Sequence, residues 1–237
     1  MIRKAGFPED LLFGEAPAEA SPAEGSDSAA GGPDAAAAGP AEPGTPSPEE
    51  ALLRPYLRIL ALKRLYRQGW LKRGVPEGAC ESVADHSFGT AVLALLLAGR
   101  EPFGDADPGK TCRMAVAHEL GEVYAGDITP VDGVSKEEKY RLERESLLRV
   151  LAGAPGAGEI LALWEEFEEG ASPEARLLRR LDRLEMGIQA AVYRAEGFPR
   201  MEEFLESARK AVGEGPMGEV LERAAEGGGR WSVDGGQ

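Results

Sequence analysis

Cysteine and histidine are scarce in this chain, with two of each in 237 residues. Cys80 and Cys112 make no disulfide framework, and without a CxxC or similar spacing they offer no thiolate zinc site. Two isolated thiols suit a reducing compartment, so a cytoplasmic location is expected. Long hydrophobic runs are missing as well. The longest, Phe88 to Gly99, contains Thr90 and falls short of the ~20 residues that cross a bilayer. Arg3 and Lys4 near the start are not followed by a continuous apolar stretch, so the opening does not read as a secretory signal. Alternating Val-rich segments are absent, which leaves no visible β-sheet, and there is no internal repeat.

Positive charge is in the minority, 27 Lys and Arg against 41 Asp and Glu, for a net −14. Residues 1–50 set Arg3 and Lys4 against ten acids, a net of −8, so the remainder carries only −6. Residues 51–79 reverse the balance locally, with seven Arg or Lys against one Glu. Overall acidity argues against broad binding to nucleic acid or an anionic membrane. The basic strip is compatible with a small phosphorylated ligand, and on charge alone equally with a solvated helix face. Residues 1–46 form an acidic extension rich in Ala, Pro and Gly, with almost no large apolar side chain after Phe13. Such a composition cannot offset its ordering entropy and is expected to be disordered. A second short tail, 226–237, is Gly-rich. One domain, 47–225, is left, long enough for a real core.

What is present in that domain is helix after helix. Ser47-Pro48-Glu49-Glu50 offers an N-cap, a proline at the first helical position and a capping-box acid. Leu53, Leu57, Leu60 and Ala61 follow at helical spacing, with Pro55 a candidate break. Ser82 caps a helix whose body, Val92 to Leu97, is apolar on all sides, the pattern of a central buried helix. Asp107-Pro108 opens another, expected to run to Gly126 and to carry His118 and Glu122 on one face. Ser135-Lys136-Glu137-Glu138 reads as a capping box for a helix to about Val150. Further helices are expected near 160–167, from Ser172-Pro173 through Tyr193, and over 198–212 and 217–225. The fold class is all-α.

Both histidines stand beside acids. His86 lies in Glu81-Ser82-Val83-Ala84-Asp85-His86-Ser87, and His118 opens His118-Glu119-Leu120-Gly121-Glu122. Neutral imidazole and carboxylate form a common ligand set for divalent transition metals. Each histidine taken alone reads better as an ordinary hydrogen-bonded helix residue. The HExxH pattern of zinc proteases is excluded, because position 122 is Glu and there is no third histidine. A His-acid doublet supplies adjacent ligands, and the remaining ones must come from elsewhere, with His86 and Asp182 as natural partners.

The order His86, His118-Glu119, Asp182 resembles the HD superfamily of metal-dependent phosphohydrolases. The surroundings narrow it: Arg67-Gln68-Gly69-Trp70, then Gly126-Asp127-Ile128, Lys136-Glu137-Glu138-Lys139 and Leu181-Asp182-Arg183-Leu184-Glu185-Met186. From about Leu57 to Tyr193 this ordered set resembles the HD-domain 5′-deoxynucleotidases, which remove phosphate from deoxyribonucleoside 5′-monophosphates. The resemblance implies a single HD-domain helical bundle in which His86, His118, Glu119 and Asp182 hold one divalent cation (Mn, Co, Zn or Mg). It implies that Glu122 and Asp127 serve water activation and leaving-group protonation. Arg67 would reach the 5′-phosphate, and Trp70 would help exclude the ribose 2′-hydroxyl. The implied partner is a nucleoside monophosphate, and the implied assembly a homodimer.

Each role has a plainer counterpart: Trp70 as a core aromatic, Glu122 as a hydrogen-bond partner, Asp127 as a turn residue, Asp182 as the ion-pair partner of a nearby arginine. One position departs from the family, which has Asp after the second histidine where this chain has Glu119. The extra methylene moves the carboxylate by about one bond length, roughly 1.5 Å. Two alternatives therefore accompany the main reading: a catalytically impaired nucleotide-binding or regulatory protein on the HD fold, and another HD activity such as phosphodiester hydrolysis.

Overall fold

A computed structural model describes residues 46–227. The expectations for the extension up to residue 45 and for the tail beyond Gly227 lie outside these residues. Glu226 and Gly227, placed in the tail by composition, complete the last helix instead.

Among the described residues every regular element is helical, with one isolated bridge between Tyr66 and Ser82 in place of any sheet. Ser47 caps α1 (Pro48–Ile59) through a reciprocal box with Glu50, as its sequence demands. Pro55 does not break α1. It is buried within the helix, which tightens into a 3-10 turn over Leu60–Arg64. A single turn, α2 (Gln68–Leu71), follows. Ser82 and Asp85 form the second capping box and start α3 (Val83–Leu97), so His86 sits in the first turn of a firmly anchored helix.

Asp107 caps α4 (Pro108–Ala117), which ends eight residues before Ala125 rather than running on to Gly126. His118 is its C-cap, and the bonds that follow join residues three apart: Leu120 N–H to Ala117 O and Glu122 N–H to Glu119 O. The short α5 (Glu122–Ala125) then starts afresh and ends at Gly126, whose φ of 82° suits glycine. Gly121 in this turn admits a close approach of Glu143. A Cβ on Gly121 would stand 2.9 Å from the Cβ of Glu143 and 3.0 Å from its carbonyl oxygen. His118 and Glu122 therefore do not share one helix face, as their spacing alone suggested.

The remaining helices are α6 (Lys136–Leu151), α7 (Ala157–Glu169), α8 (Pro173–Ala195), α9 (Glu202–Val212) and α10 (Pro216–Gly227). Ser135 caps α6 through the Glu138 N–H, but the Glu138 carboxylate turns to Arg141 instead of closing the expected box. Helix α8 is the axis of the bundle and packs against α3, α4, α7, α9 and α10. Its Leu177, Leu178, Leu181 and Leu184 are buried with Met114, Leu205 and Leu221 in the larger core. Each such leucine stabilises the fold by roughly 1.5–3 kcal/mol. A second core, with Leu62, Val83, Ala117, Leu147, Val150 and Trp164, lies on the other side of the His86 and His118 turns.

Helix α3 is not buried all round. It covers Val83, His86, Thr90 and Ala94 but leaves Phe88, Leu95 and Leu96 exposed at 72%, 63% and 57%. This chain covers only the face toward α4 and α8, so the apolar character of the opposite face has another cause. Among the described residues, no helix is long and apolar enough to cross a membrane.

Candidate metal centre

Three helix segments converge where the two cores meet. His86 comes from the first turn of α3, His118 from the end of α4, and Asp182 from the middle of α8. Their ligand atoms all lie within 4.8 Å of one another. The two imidazole rings are 5.6 Å apart, centre to centre, and Asp182 Oδ1 is 3.2 Å from His86 Nε2. Glu119 stands beside this set. Its Oε1 lies 3.5 Å from His118 Nε2 and 3.6 Å from His86 Nε2. All four residues that the sequence singled out as ligands are therefore brought together.

The tautomers point the same way. His118 Nδ1 donates to the Ala115 carbonyl at 2.7 Å, which leaves the lone pair on Nε2. His86 Nδ1 faces Glu185 Oε2 at 2.5 Å, with the same consequence. Both Nε2 atoms are buried and make no hydrogen bond within the protein. Two buried imidazole nitrogens facing two carboxylates call for a proton or a cation between them. The donor set fits a divalent metal ion.

Electrostatics agree. Burial opposes charge on Asp182, yet His86 outweighs it and holds the carboxyl well below its usual range. Burial likewise opposes the Glu119 charge, but His118, Arg67 and His86 pull its carboxyl down to about 2. Burial pushes His118 down, toward the neutral form that ligates metals. Burial and Arg67 oppose a proton on His86, but Asp182 and Glu185 raise it to about 10. A cation at Nε2 exchanges with that proton, the ordinary linkage between metal binding and pH.

The other expected residues form a rim. Arg67 Nη1 donates to Glu119 Oε1 and Asp127 Oδ1, at 3.3 Å each. The Gln68 backbone N–H donates to Asp127 Oδ2 at 2.5 Å, so both oxygens of Asp127 are held by the 67–68 turn. Glu122 is buried, and its Oε2 has no hydrogen-bond partner. Burial, then the charges of Glu119 and Asp127, push its carboxyl well above the usual range. Trp70 is only 2% exposed and belongs to the larger core, edge-on to Tyr193 and tilted against Phe204. Its indole N–H donates to Glu81 Oε1 at 2.7 Å.

Residue-by-residue reading of the sequence missed several neighbours. Glu185 holds His86, and Glu81 lies in one cluster with both. Burial, then Glu185, pushes the Glu81 carboxyl up to about 7. Lys139, one turn into α6, meets Glu143 at 2.5 Å, behind the 118–122 turn. Its place in the first helical turn, where a cation is unfavourable, was the only signal it gave.

Known proteins sharpen the picture. A family profile described as the HD domain matches residues 59–218. The 5′-deoxynucleotidase HDDC2 of Dictyostelium discoideum is 37% identical over 160 residues, covering 62% of this chain and 83% of that protein. The chain belongs to the HD-domain 5′-deoxynucleotidase family. The Danio rerio 5′-deoxynucleotidase HDDC2 is 40% identical over 151 residues, 62% of this chain and 72% of that one. Among solved structures, the PH0347 protein of Pyrococcus horikoshii OT3 superposes with a TM-score of 0.61 at 35% identity, covering 76% of this chain and 99% of that one. In this family member the metal-capable cluster falls well inside the matched span.

Proposed function

We infer that this chain is a metal-dependent phosphohydrolase that releases the 5′-phosphate of nucleoside 5′-monophosphates, preferring the deoxy forms. The observation that carries the reading is the convergence of two unpartnered histidine nitrogens with Asp182 and Glu119, in a chain whose relatives are 5′-deoxynucleotidases. His86, His118, Glu119 and Asp182 would hold one divalent cation, with Mn, Co, Zn and Mg as the candidates. When bound, such a cation neutralises charge on the phosphate and makes a water acidic enough to act as nucleophile near neutral pH.

The chain's own groups do the rest. Arg67 presents a planar, permanently charged fork on the rim, suited to phosphate oxygens. Glu122, buried and with its carboxyl pushed above the usual range, would be the proton donor to the departing 5′-oxygen, and Asp127, fixed by Gln68 and Arg67, would orient and accept from the attacking water. Trp70 would act against the 2′-hydroxyl indirectly, by fixing the turn that carries Arg67, since it is itself buried against Tyr193 and Phe204 and bonded to Glu81. Glu119 reaches both histidines despite its extra methylene, which favours a working site over the impaired alternative.

The reading includes a homodimer. Phe88, Leu95 and Leu96 recur at helical spacing on the uncovered face of α3, as a self-associating helix requires. A cytoplasmic location belongs to the same reading, with Cys80 and Cys112 both free thiols.

Release of inorganic phosphate from a panel of deoxy- and ribonucleoside 5′-monophosphates, with Mn²⁺, Co²⁺, Zn²⁺ or Mg²⁺ added, tests the reading. Release from deoxynucleotides well above that from ribonucleotides is expected. Release from neither, with any cation, would favour the nucleotide-binding alternative.

A further inference from the structure

His86 and His118 are oriented by different means. His118 gives its Nδ1–H to a backbone carbonyl of its own helix, Ala115 at 2.7 Å. His86 gives its Nδ1–H across the bundle to a carboxylate on α8, Glu185 Oε2 at 2.5 Å. Glu185 sits one turn from Asp182 on the same helix, so one face of α8 supplies both a ligand carboxylate and the group behind the opposing histidine. The Glu185 side chain reaches His86 across Gly89 on α3. A Cβ at position 89 would stand 2.6 Å from Glu185 Oε1, 3.1 Å from its Cγ and 3.2 Å from its Cδ. No φ in the left-handed region calls for glycine there, so the room it leaves is its contribution.

We propose that Glu185 is a positioning residue of the metal centre, and that Gly89 is the residue that admits it. By accepting from Nδ1, Glu185 keeps the lone pair on Nε2, fixes the plane of the ring and makes Nε2 a stronger donor toward the cation. A glycine inside an α-helix is unfavourable compared with alanine. Its presence at 89 is accounted for by the carboxylate that passes over it. The inference rests on the metal-centre reading above and goes beyond it, since neither residue touches the cation.

The test is the affinity for Co²⁺ alone, by competition with a chromogenic chelator and from the visible Co²⁺ absorption, with no substrate present. Glu185→Leu removes the acceptor and is expected to weaken binding on the order of 10- to 100-fold. Glu185→Gln keeps an oxygen that accepts Nδ1–H but loses the charge, and should fall between wild type and Glu185→Leu. Gly89→Ala leaves Glu185 in the chain but drives its carboxyl group off His86. It should lose affinity like Glu185→Leu while keeping its helical circular dichroism, because the obstructing atoms belong to the far end of a flexible side chain. That ordered loss in folded variants is the result expected, and Glu185→Gln and Gly89→Ala decide the question alone if Glu185→Leu fails to fold. Wild-type affinity and an unchanged Co²⁺ spectrum in the variants would overturn the inference and leave the metal centre standing. A wild-type protein that binds no Co²⁺ would overturn both.

Discussion

Glu119 is the residue on which the account is most exposed. The family resemblance implies Asp where this chain has a longer acid, and the structure shows where the Glu119 carboxylate lies. The α4 helix stops at Ala117, the 118–121 turn tightens, and Glu119 Oε1 arrives between both histidines while accepting from Arg67. A site damaged by the longer side chain would gain from Glu119→Asp. The positions found here predict the opposite: shortening withdraws the carboxylate by roughly 1.5 Å and lowers cation affinity on the order of tenfold. Titration of the variant with Mn²⁺ checks the direction, and a clear gain in affinity would mark the natural residue as a defect. At this scale the four residues that converge, His86, His118, Glu119 and Asp182, were legible, because only two histidines exist and each stands beside an acid. Glu185, Glu81 and Gly89 were not, since their roles come from contacts between α3 and α8 that no local spacing announces.

Elements that begin with a strong cap were readable to within a few residues. Ser47, Ser82, Asp107, Ser135 and Ser172 each cap the helix expected of them. The break at His118 was not legible from spacing, and the turn that follows it packs Gly121 closely against Glu143. The loop after Gly126 has its own tie. Asp132 accepts from Lys72 at 2.6 and 2.7 Å and from the Thr129 N–H at 2.8 Å, joining the 129–132 turn to the segment just past α2. Lys72 and Thr129 hold the Asp132 carboxyl down at about 2. A depressed carboxylate stabilises the fold above its unfolded pKa of about 3.9, and that contribution fades as pH falls through the folded value. Asp132→Asn should therefore unfold at lower urea than wild type at pH 5 and above, with the gap closing as pH approaches 2. Because the pair is partly exposed, the gap should also shrink in high salt. A gap independent of pH would assign the effect to the turn itself.

For the whole molecule, the all-α bundle was legible in full, whereas its assembly was written ambiguously. An apolar helix reads the same whether its far side meets the rest of its own chain or another copy. In α3 one face packs on α4, α8 and the Leu60–Arg64 turn, and the other leaves Phe88, Leu95 and Leu96 exposed. A homodimer through this face predicts that Leu95→Glu yields a monomer by light scattering while wild type is a dimer at micromolar concentration. A wild-type monomer at those concentrations would remove the dimer from the account.

In the function proposed above, His86, His118, Glu119 and Asp182 form one cation site that drives phosphate release. Its most direct test is the rate of phosphate release from a deoxynucleoside 5′-monophosphate by wild type and Asp182→Ala, side by side with saturating Co²⁺ or Mn²⁺. Asp182 meets His86 Nε2 at 3.2 Å on the inner face of α8, and its loss should cut the rate at least ~100-fold in a folded protein. An Asp182→Ala protein that releases phosphate as fast as wild type would contradict the account.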